Sequence, residues 1–262
     1  MIMNSNTILS TEKYLERIKY SGKTPLNYET LSNLVYCHFT SVPYENFDIL
    51  NNIPLSLKVP DLYDKIVIRN RGGYCFELNT LFNWLLTETG FTTHTYIARF
   101  LADETGIPMR RHRVMRVDID GQHYIADVGV GSEVPVRPLR LEENVETEVR
   151  GVLYKFRKDE MYGWVLQYKN SKNEWKDIYG FTEEPQYEID FVQPDFWCQH
   201  SPDSPFRTQN MAAIRTETGK YAIDGNILRI FDLSCGDKTV ASREFEPSEL
   251  PAILEKYFGV IL

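Results

Sequence analysis

A chain of 262 residues with 42% hydrophobic, 13% aromatic and 25% charged residues can bury a sizeable core, as one large domain or two to three small ones, and this composition excludes a disordered or low-complexity protein. The formal net charge of -8 and the pI near 5.3, with no basic stripe to offset them, set nucleic acid aside as a partner. No stretch of about 18 apolar residues runs without a charge, and MIMNSNTILSTEKYLERI lacks the basic start and apolar run of a secretory signal, so no membrane partner is expected and a cytoplasmic location is.

From residue 10 to about 90 the apolar residues recur at three- and four-residue spacing, first as Tyr14, Leu15 and Ile18, then as Leu31, Leu34, Val35 and His38, which predicts helices. Pro60 opens a short candidate helix carrying Leu62, Tyr63 and Ile66, and Gly72 and Gly73 end it. Leu78, Leu81, Phe82, Leu85 and Leu86 then mark one buried helical stripe that Gly90 stops, with Cys75 at its N-terminal end. From about residue 91 the period changes to two, in THTYIARF, HRVMRVDIDGQHYIADV and YGWVLQYKNSKNEWKDIY, which predicts antiparallel sheet or barrel. Phe191 to Arg207 reads as an irregular connection anchored by Phe196, Trp197 and Phe206. MAAIRTETGKYAIDGNILRIFD reads as two or three strands turning at Thr218-Gly219 and Asp224-Gly225, and SELPAILEKYF as a closing helix capped by Ser248.

Cys37, Cys75, Cys198 and Cys235 are widely spaced with no CxxC pair, which predicts thiols and neither a disulfide framework nor a metal site. Cys75 differs from the others in its setting. Two glycines allow a tight turn immediately before it, and the unpaired N–H groups of a helix start favour thiolate, so its pKa is expected below the free value of about 8.5. A lone cysteine on an apolar stripe is most often a small core residue, so the chemical reading needs a partner.

A hairpin supplies one. Asp120-Gly121 signals a two-residue turn that sets Ile119 opposite Gln122, Val117 opposite Tyr124 and Met115 opposite Ala126. Continued, that register sets Val114 opposite Asp127 and His112 opposite Gly129, so His112 and Asp127 share a face as diagonal neighbours roughly 7 to 8 Å apart. A nucleophile, a base and a group that orients the base are what acyl transfer requires. His94, on the preceding strand, is the rival base; His38, His123 and His200 read as ordinary hydrogen-bonded or surface residues.

At these residues the sequence resembles the arylamine N-acetyltransferase family, which has an Arg-Gly-Gly-x-Cys-x-Glu-x-Asn block, a His fifteen residues before an Asp, and Asp-x-Gly-x-Gly. Here these are Arg71 to Asn79, His112 with Asp127, and Asp127 to Gly131, and Val42 to Phe47 and His200 to Phe206 are similar to two further blocks. The resemblance implies an α+β, papain-like cysteine-enzyme fold: an N-terminal helical domain over 1–90 carrying the cysteine, a β-barrel domain over 91–200 carrying His and Asp, and an α/β lid over 201–262. It implies ping-pong acetyl transfer from acetyl-CoA, through a thioester on Cys75, to the nitrogen of arylamines and arylhydrazines, with O-acetylation of arylhydroxylamines, as in xenobiotic metabolism. His112 is then the general base and Asp127 its orienting partner, and the Cys75 N–H is the first oxyanion donor. Tyr44 and Phe206 are implied as aromatic walls of the acceptor pocket, and Arg110 and Arg111, in a loop before His112, as contacts for CoA phosphates. Many members have Phe where Val130 stands and Phe is also common where Tyr44 stands, which implies a roomier, more polar pocket here. A papain-like cysteine hydrolase or transglutaminase shares the triad, but Arg-Gly-Gly-Tyr-Cys differs from the approach to the cysteine in papain-like proteases; an inactive binding module would have no need of the three residues.

Overall fold

The computed structural model describes residues 8–102, 106–131, 134–233 and 238–262; Cys235 lies outside them. Capping side chains start the first helices. Ser10 Oγ accepts from the Lys13 N–H ahead of α1 (Thr11–Arg17), and Asn27 accepts from the Thr30 N–H ahead of α2 (Tyr28–Ser41). The chain then forms a two-residue strand β1 (Tyr44–Glu45), the single turn α3 (Phe47–Leu50) and α4 (Val59–Tyr63), which carries Pro60 in its first turn and continues as a π-helical turn over Asp64–Ile68. In α5 (Cys75–Glu88) the stripe Leu78, Leu81, Phe82, Leu85 and Leu86 is completely buried, and Gly90 follows the helix at φ 100°. No helix among the described residues is long and apolar enough to cross a membrane.

Eight strands follow: β2 (Thr92–Phe100), β3 (Arg110–Ile119), β4 (Gln122–Ala126), β5 (Leu139–Arg140), β6 (Thr147–Val149), β7 (Val152–Asp159), β8 (Gly163–Lys169) and β9 (Trp175–Phe181). They make one antiparallel, barrel-like sheet in the order β5-β4-β3-β2-β9-β8-β7-β6, and Val114, Val117, Tyr154, Phe156 and Phe181 share a core with the stripe of α5. The β3–β4 turn has Asp120 at φ 50° and Gly121 at φ 75°, so Ile119 pairs with Gln122 and Met115 with Ala126 in the register read from the sequence. The β3–β4 ladder stops there: the expected pairs Val114–Asp127 and His112–Gly129 do not form, while on the other edge of β3 His112 pairs with Ala98 of β2.

The segment read as an irregular connection contains a helix, α6 (Val192–His200). Pro194 is compatible with it because a first-turn residue has no intrahelical use for an N–H. Its anchors are Phe191, Cys198 and Phe206, all buried, whereas Phe196 is 61% exposed. The last strands are β10 (Met211–Arg215), β11 (Gly219–Asp224) and β12 (Ile227–Asp232), three in the segment read as two or three, and β13 (Lys238–Glu244) beyond it. With β1 they form a second sheet, β1-β10-β11-β12-β13, packed against Ile253 of α7 (Leu250–Ile253) and Leu254 and Phe258 of the π-helical turn that continues it over Leu254–Phe258. Ser248 does not cap that helix; it lies inside a 3-10 turn over Pro247–Glu249, where the Glu246 N–H donates to the Glu249 carboxylate at 2.9 Å.

Two segments distant in sequence meet backbone to backbone beneath α5. Tyr44 bridges to Gly73, the Glu45 N–H donates to the Gly73 carbonyl at 2.9 Å, and a Cβ on Gly72 would stand 2.0 Å from the Pro43 carbonyl oxygen. Gly72→Ala is therefore expected to destabilise the fold by about 1–3 kcal/mol, read from urea unfolding, because the strand would have to move off the glycine pair. Wild-type stability would show that β1 does not press on this turn.

Candidate active site

Five buried charged side chains hold the start of α5. Arg71 donates to Glu45 Oε1 at 2.8 Å and to Asp48 Oδ1 at 2.9 Å, while Lys65 Nζ reaches Asp48 Oδ2 at 2.7 Å and Glu77 Oε1 at 2.8 Å. Glu77, three residues into the helix turn, accepts the Tyr74 N–H on its other oxygen at 3.2 Å, and a Cβ on Gly73 would stand 2.8 Å from that oxygen. Burial pushes the Glu77 carboxyl up to about 7 against the pull of Lys65. Burial also opposes the charge on Asp48, but Lys65 and Arg71 outweigh it and hold that carboxyl below its usual range. Arg71, the glycine turn and Glu77 of the Arg71–Asn79 block thus fix the helix start, with Cys75 as the first residue of α5.

Asp127 sits where β4 has ended and its carboxylate is fully engaged. Oδ2 meets His112 Nε2 at 2.6 Å, and Oδ1 accepts from Asn79 Nδ2 and from the Gly129 N–H, each at 2.9 Å. Asn79 lies one helical turn beyond Cys75. It also donates to the Arg113 carbonyl at 2.6 Å and accepts the Val128 N–H at 2.9 Å, so it ties α5 to β3 and to the chain beyond β4. Phe100 and Tyr179 pack their rings 6.0 and 5.3 Å from the His112 imidazole. Nε2 being held by Asp127, Nδ1 is the nitrogen available for proton transfer.

The Cys75 sulfur lies 3.7 Å from the Arg111 carbonyl oxygen, beside the strand that carries His112, and is 3% exposed. Burial pushes its thiol well up, with Cys198 and the Asp127 carboxylate adding, and the N–H groups of Arg113 and Phe76 offset this only in part. The lowered pKa expected from the helix start alone is therefore not what the buried site gives. A positive charge nearby favours thiolate, and the His112 imidazole lines the same cavity as Cys75.

That cavity, about 400 Å3, is lined by Cys75, His112, Tyr44, Phe100, Val130 and Phe206, with Arg111 among its further residues. Arg110 and Arg111 begin β3 rather than standing in a loop, and strand alternation parts them: Arg110 faces a separate exposed cavity with Phe196 and Trp197 and is ion-paired to Glu184. His94 is on the surface, 3.1 Å from Asp118, outside this cavity, and His38 is buried against the Tyr14 hydroxyl at 3.0 Å. Cys37, Cys75 and Cys198 are free thiols. Among the described residues no group of His, Cys, Asp and Glu is arranged to hold a metal ion. Sequence reasoning missed Asn79, Lys65, Glu45 and Asp48; for Asn79 and Glu45 the signal was available, since both stand inside blocks already singled out.

Residues 27–262 match the family model described as N-acetyltransferase. The chain is 35% identical over 196 residues to the arylamine N-acetyltransferase of Escherichia coli, covering 74% of this chain and 69% of that protein. Among solved structures it is similar to the arylamine N-acetyltransferase from Salmonella typhimurium, with a TM-score of 0.89 at 27% identity, covering 95% of this chain and 90% of that one. It is also similar to the Mycobacterium marinum arylamine N-acetyltransferase in complex with CoA, with a TM-score of 0.87 at 30% identity and coverage of 96% and 93%.

Because the buried thiol is pushed up, His112→Asn is expected to slow alkylation of Cys75 by iodoacetamide at neutral pH about ten-fold or more and to move the rise in rate to higher pH. An alkylation profile identical to wild type would show that the imidazole does not support the thiolate.

Proposed function

The chain belongs to the arylamine N-acetyltransferase family, acyltransferases that use acetyl-CoA, and on that premise we propose that it acetylates arylamines in two steps through a thioester on Cys75. The observation that carries the reading is the joint placement of Cys75, His112 and an Asp127-held imidazole on one small apolar cavity. His112 Nδ1 takes the Cys75 proton as sulfur attacks the acetyl carbon of acetyl-CoA, and returns it to the departing CoA sulfur. Asp127, fixed by Asn79 and the Gly129 N–H, keeps the ring oriented and stabilises the imidazolium. The acceptor amine then enters the vacated cavity, attacks the thioester and gives its proton to His112.

Tyr44, Phe100 and Phe206 make the walls on which a flat aryl ring would stack, and Val130 in place of a larger side chain leaves room beside it. Arylhydrazines and arylhydroxylamines present the same ring and a comparable nucleophile. Arg111, at the cavity, is the better placed of the two arginines to meet the co-substrate. The division at 1–90, 91–200 and 201–262 serves as a working description, since the cavity draws Cys75, His112 and Phe206 from the three parts in turn. A cytoplasmic setting fits a cysteine nucleophile that must stay reduced.

Initial-rate kinetics with acetyl-CoA and an aminosalicylate are expected to give parallel double-reciprocal lines, no product from Cys75→Ala, and a rate lower by about 10²–10⁴-fold in His112→Ala. Intersecting lines, or turnover by Cys75→Ala, would remove the covalent intermediate. Val130→Phe is expected to cut kcat/KM for bulky arylamines about ten-fold or more while sparing small ones; an unchanged preference would mean that Val130 does not shape the acceptor pocket.

A further inference from the structure

Among the polar side chains that line the cavity and that these steps leave unused, Tyr44 stands with the aromatic walls around Cys75. Tyr44 is held rigidly by its backbone, paired with Ala213 of β10 on one side and bridged to Gly73 on the other, two residues before the nucleophile. Its ring lies against Gly131, whose added Cβ would stand 3.0 Å from Tyr44 Cδ1, and packs on the apolar cluster that contains Cys75 and Phe206. Other tyrosines use their hydroxyls in the fold: Tyr74 donates to Asp195, Tyr63 to the Ser10 carbonyl and Tyr28 to the Pro138 carbonyl. The Tyr44 hydroxyl takes no hydrogen-bond partner among the described residues, and Tyr44 lines the same cavity as Cys75, whose charge would oppose ionisation of the phenol.

We propose that Tyr44 is a further catalytic residue, its hydroxyl donating a hydrogen bond to the acetyl carbonyl oxygen at Cys75 and forming with the Cys75 N–H a two-donor oxyanion site. The proposal rests on the acetyl-Cys75 reading. As the first residue of α5, Cys75 has an N–H with no acceptor inside the helix. One backbone donor leaves a developing oxyanion half-solvated in an apolar cavity, and a fixed phenol supplies the second donor without reorganisation. Burial, with Cys75 and Cys198 adding, keeps this phenol protonated well beyond the ordinary tyrosine range, so it stays a donor wherever the triad works.

In acylation the Cys75 sulfur bonds to the acetyl carbon, the carbonyl π pair moves onto oxygen and both donors hold it. The pair then returns, the bond to the CoA sulfur breaks, and that sulfur takes the proton His112 had received from Cys75. In the second step the amine nitrogen bonds to the same carbon, its proton passes to His112, and the Cys75 sulfur leaves. Tyr44 keeps its proton in both steps.

Tyr44→Phe keeps the aromatic wall and deletes the donor. Single-turnover acetylation by acetyl-CoA, followed by intact mass, is expected to slow about 10–100-fold, and deacetylation by amine to slow by a similar factor for strongly and weakly basic arylamines alike. The thermal midpoint should match wild type, because the hydroxyl bonds nothing in the fold. Wild-type rates in both steps, or an effect confined to the KM of the amine, would overturn the proposal while leaving the thioester reading intact. Failure of the wild-type enzyme itself to acetylate would overturn both.

Discussion

The placement of Cys75 depends on a buried cluster of two cations and three carboxylates. Arg71, Lys65, Glu45, Asp48 and Glu77 lie on the glycine turn, the π-helical turn, β1, α3 and α5, and their ion pairs of 2.7–2.9 Å cross-link those pieces where the glycine turn leads into α5. Burying such charges is costly, and removing one member of a buried network generally costs about 3–5 kcal/mol because its partners stay buried without it. The cluster therefore contributes less to net stability than to position. It presses β1 onto Gly72 and Gly73, and so brings the Tyr44 ring and the Cys75 helix start to one cavity.

A second constraint acts from the other side. Asp127 has left the β4 ladder, which frees its carboxylate to be shared between the His112 imidazole, the Asn79 amide and the Gly129 N–H. Gly129 permits this approach: a Cβ there would stand 2.7 Å from the Cys75 Cα. Asn79 links the two constraints, since it stands on the helix that the charge cluster fixes and bonds the carboxylate that holds the His112 imidazole. Cys75, His112 and Asp127 are thereby referenced to one helix rather than to flexible loops, the kind of support that a preoriented site requires.

Much of this was legible in local pattern. The Asp120-Gly121 turn gave the β3–β4 register because both residues accept positive φ, and the stripe from Leu78 to Leu86 gave α5 because a single period of 3.6 runs through it. What failed to show were features decided by distant partners. The charges at Glu45, Asp48 and Lys65 look like ordinary surface residues until the fold buries them together. The pull of the helix start on Cys75 was read correctly as a local effect, yet burial and the Asp127 carboxylate outweigh it, and both depend on tertiary structure. The Pro, Asp and Ser of Phe191 to Arg207 disguised α6 as irregular chain, although Pro194 in its first turn is compatible with helix.

The central claim is that helix, hairpin and charge cluster together make Cys75 an acyl carrier. Intact mass of the protein mixed with acetyl-CoA alone, beside Cys75→Ala, addresses it directly. The account predicts a gain of one acetyl group, about 42 Da, on wild type only, cleared when an arylamine is added, since the mechanism requires a covalent intermediate. No adduct on wild type at neutral pH with amine withheld would contradict it and turn attention to hydrolysis of peptide or acyl substrates by the same triad.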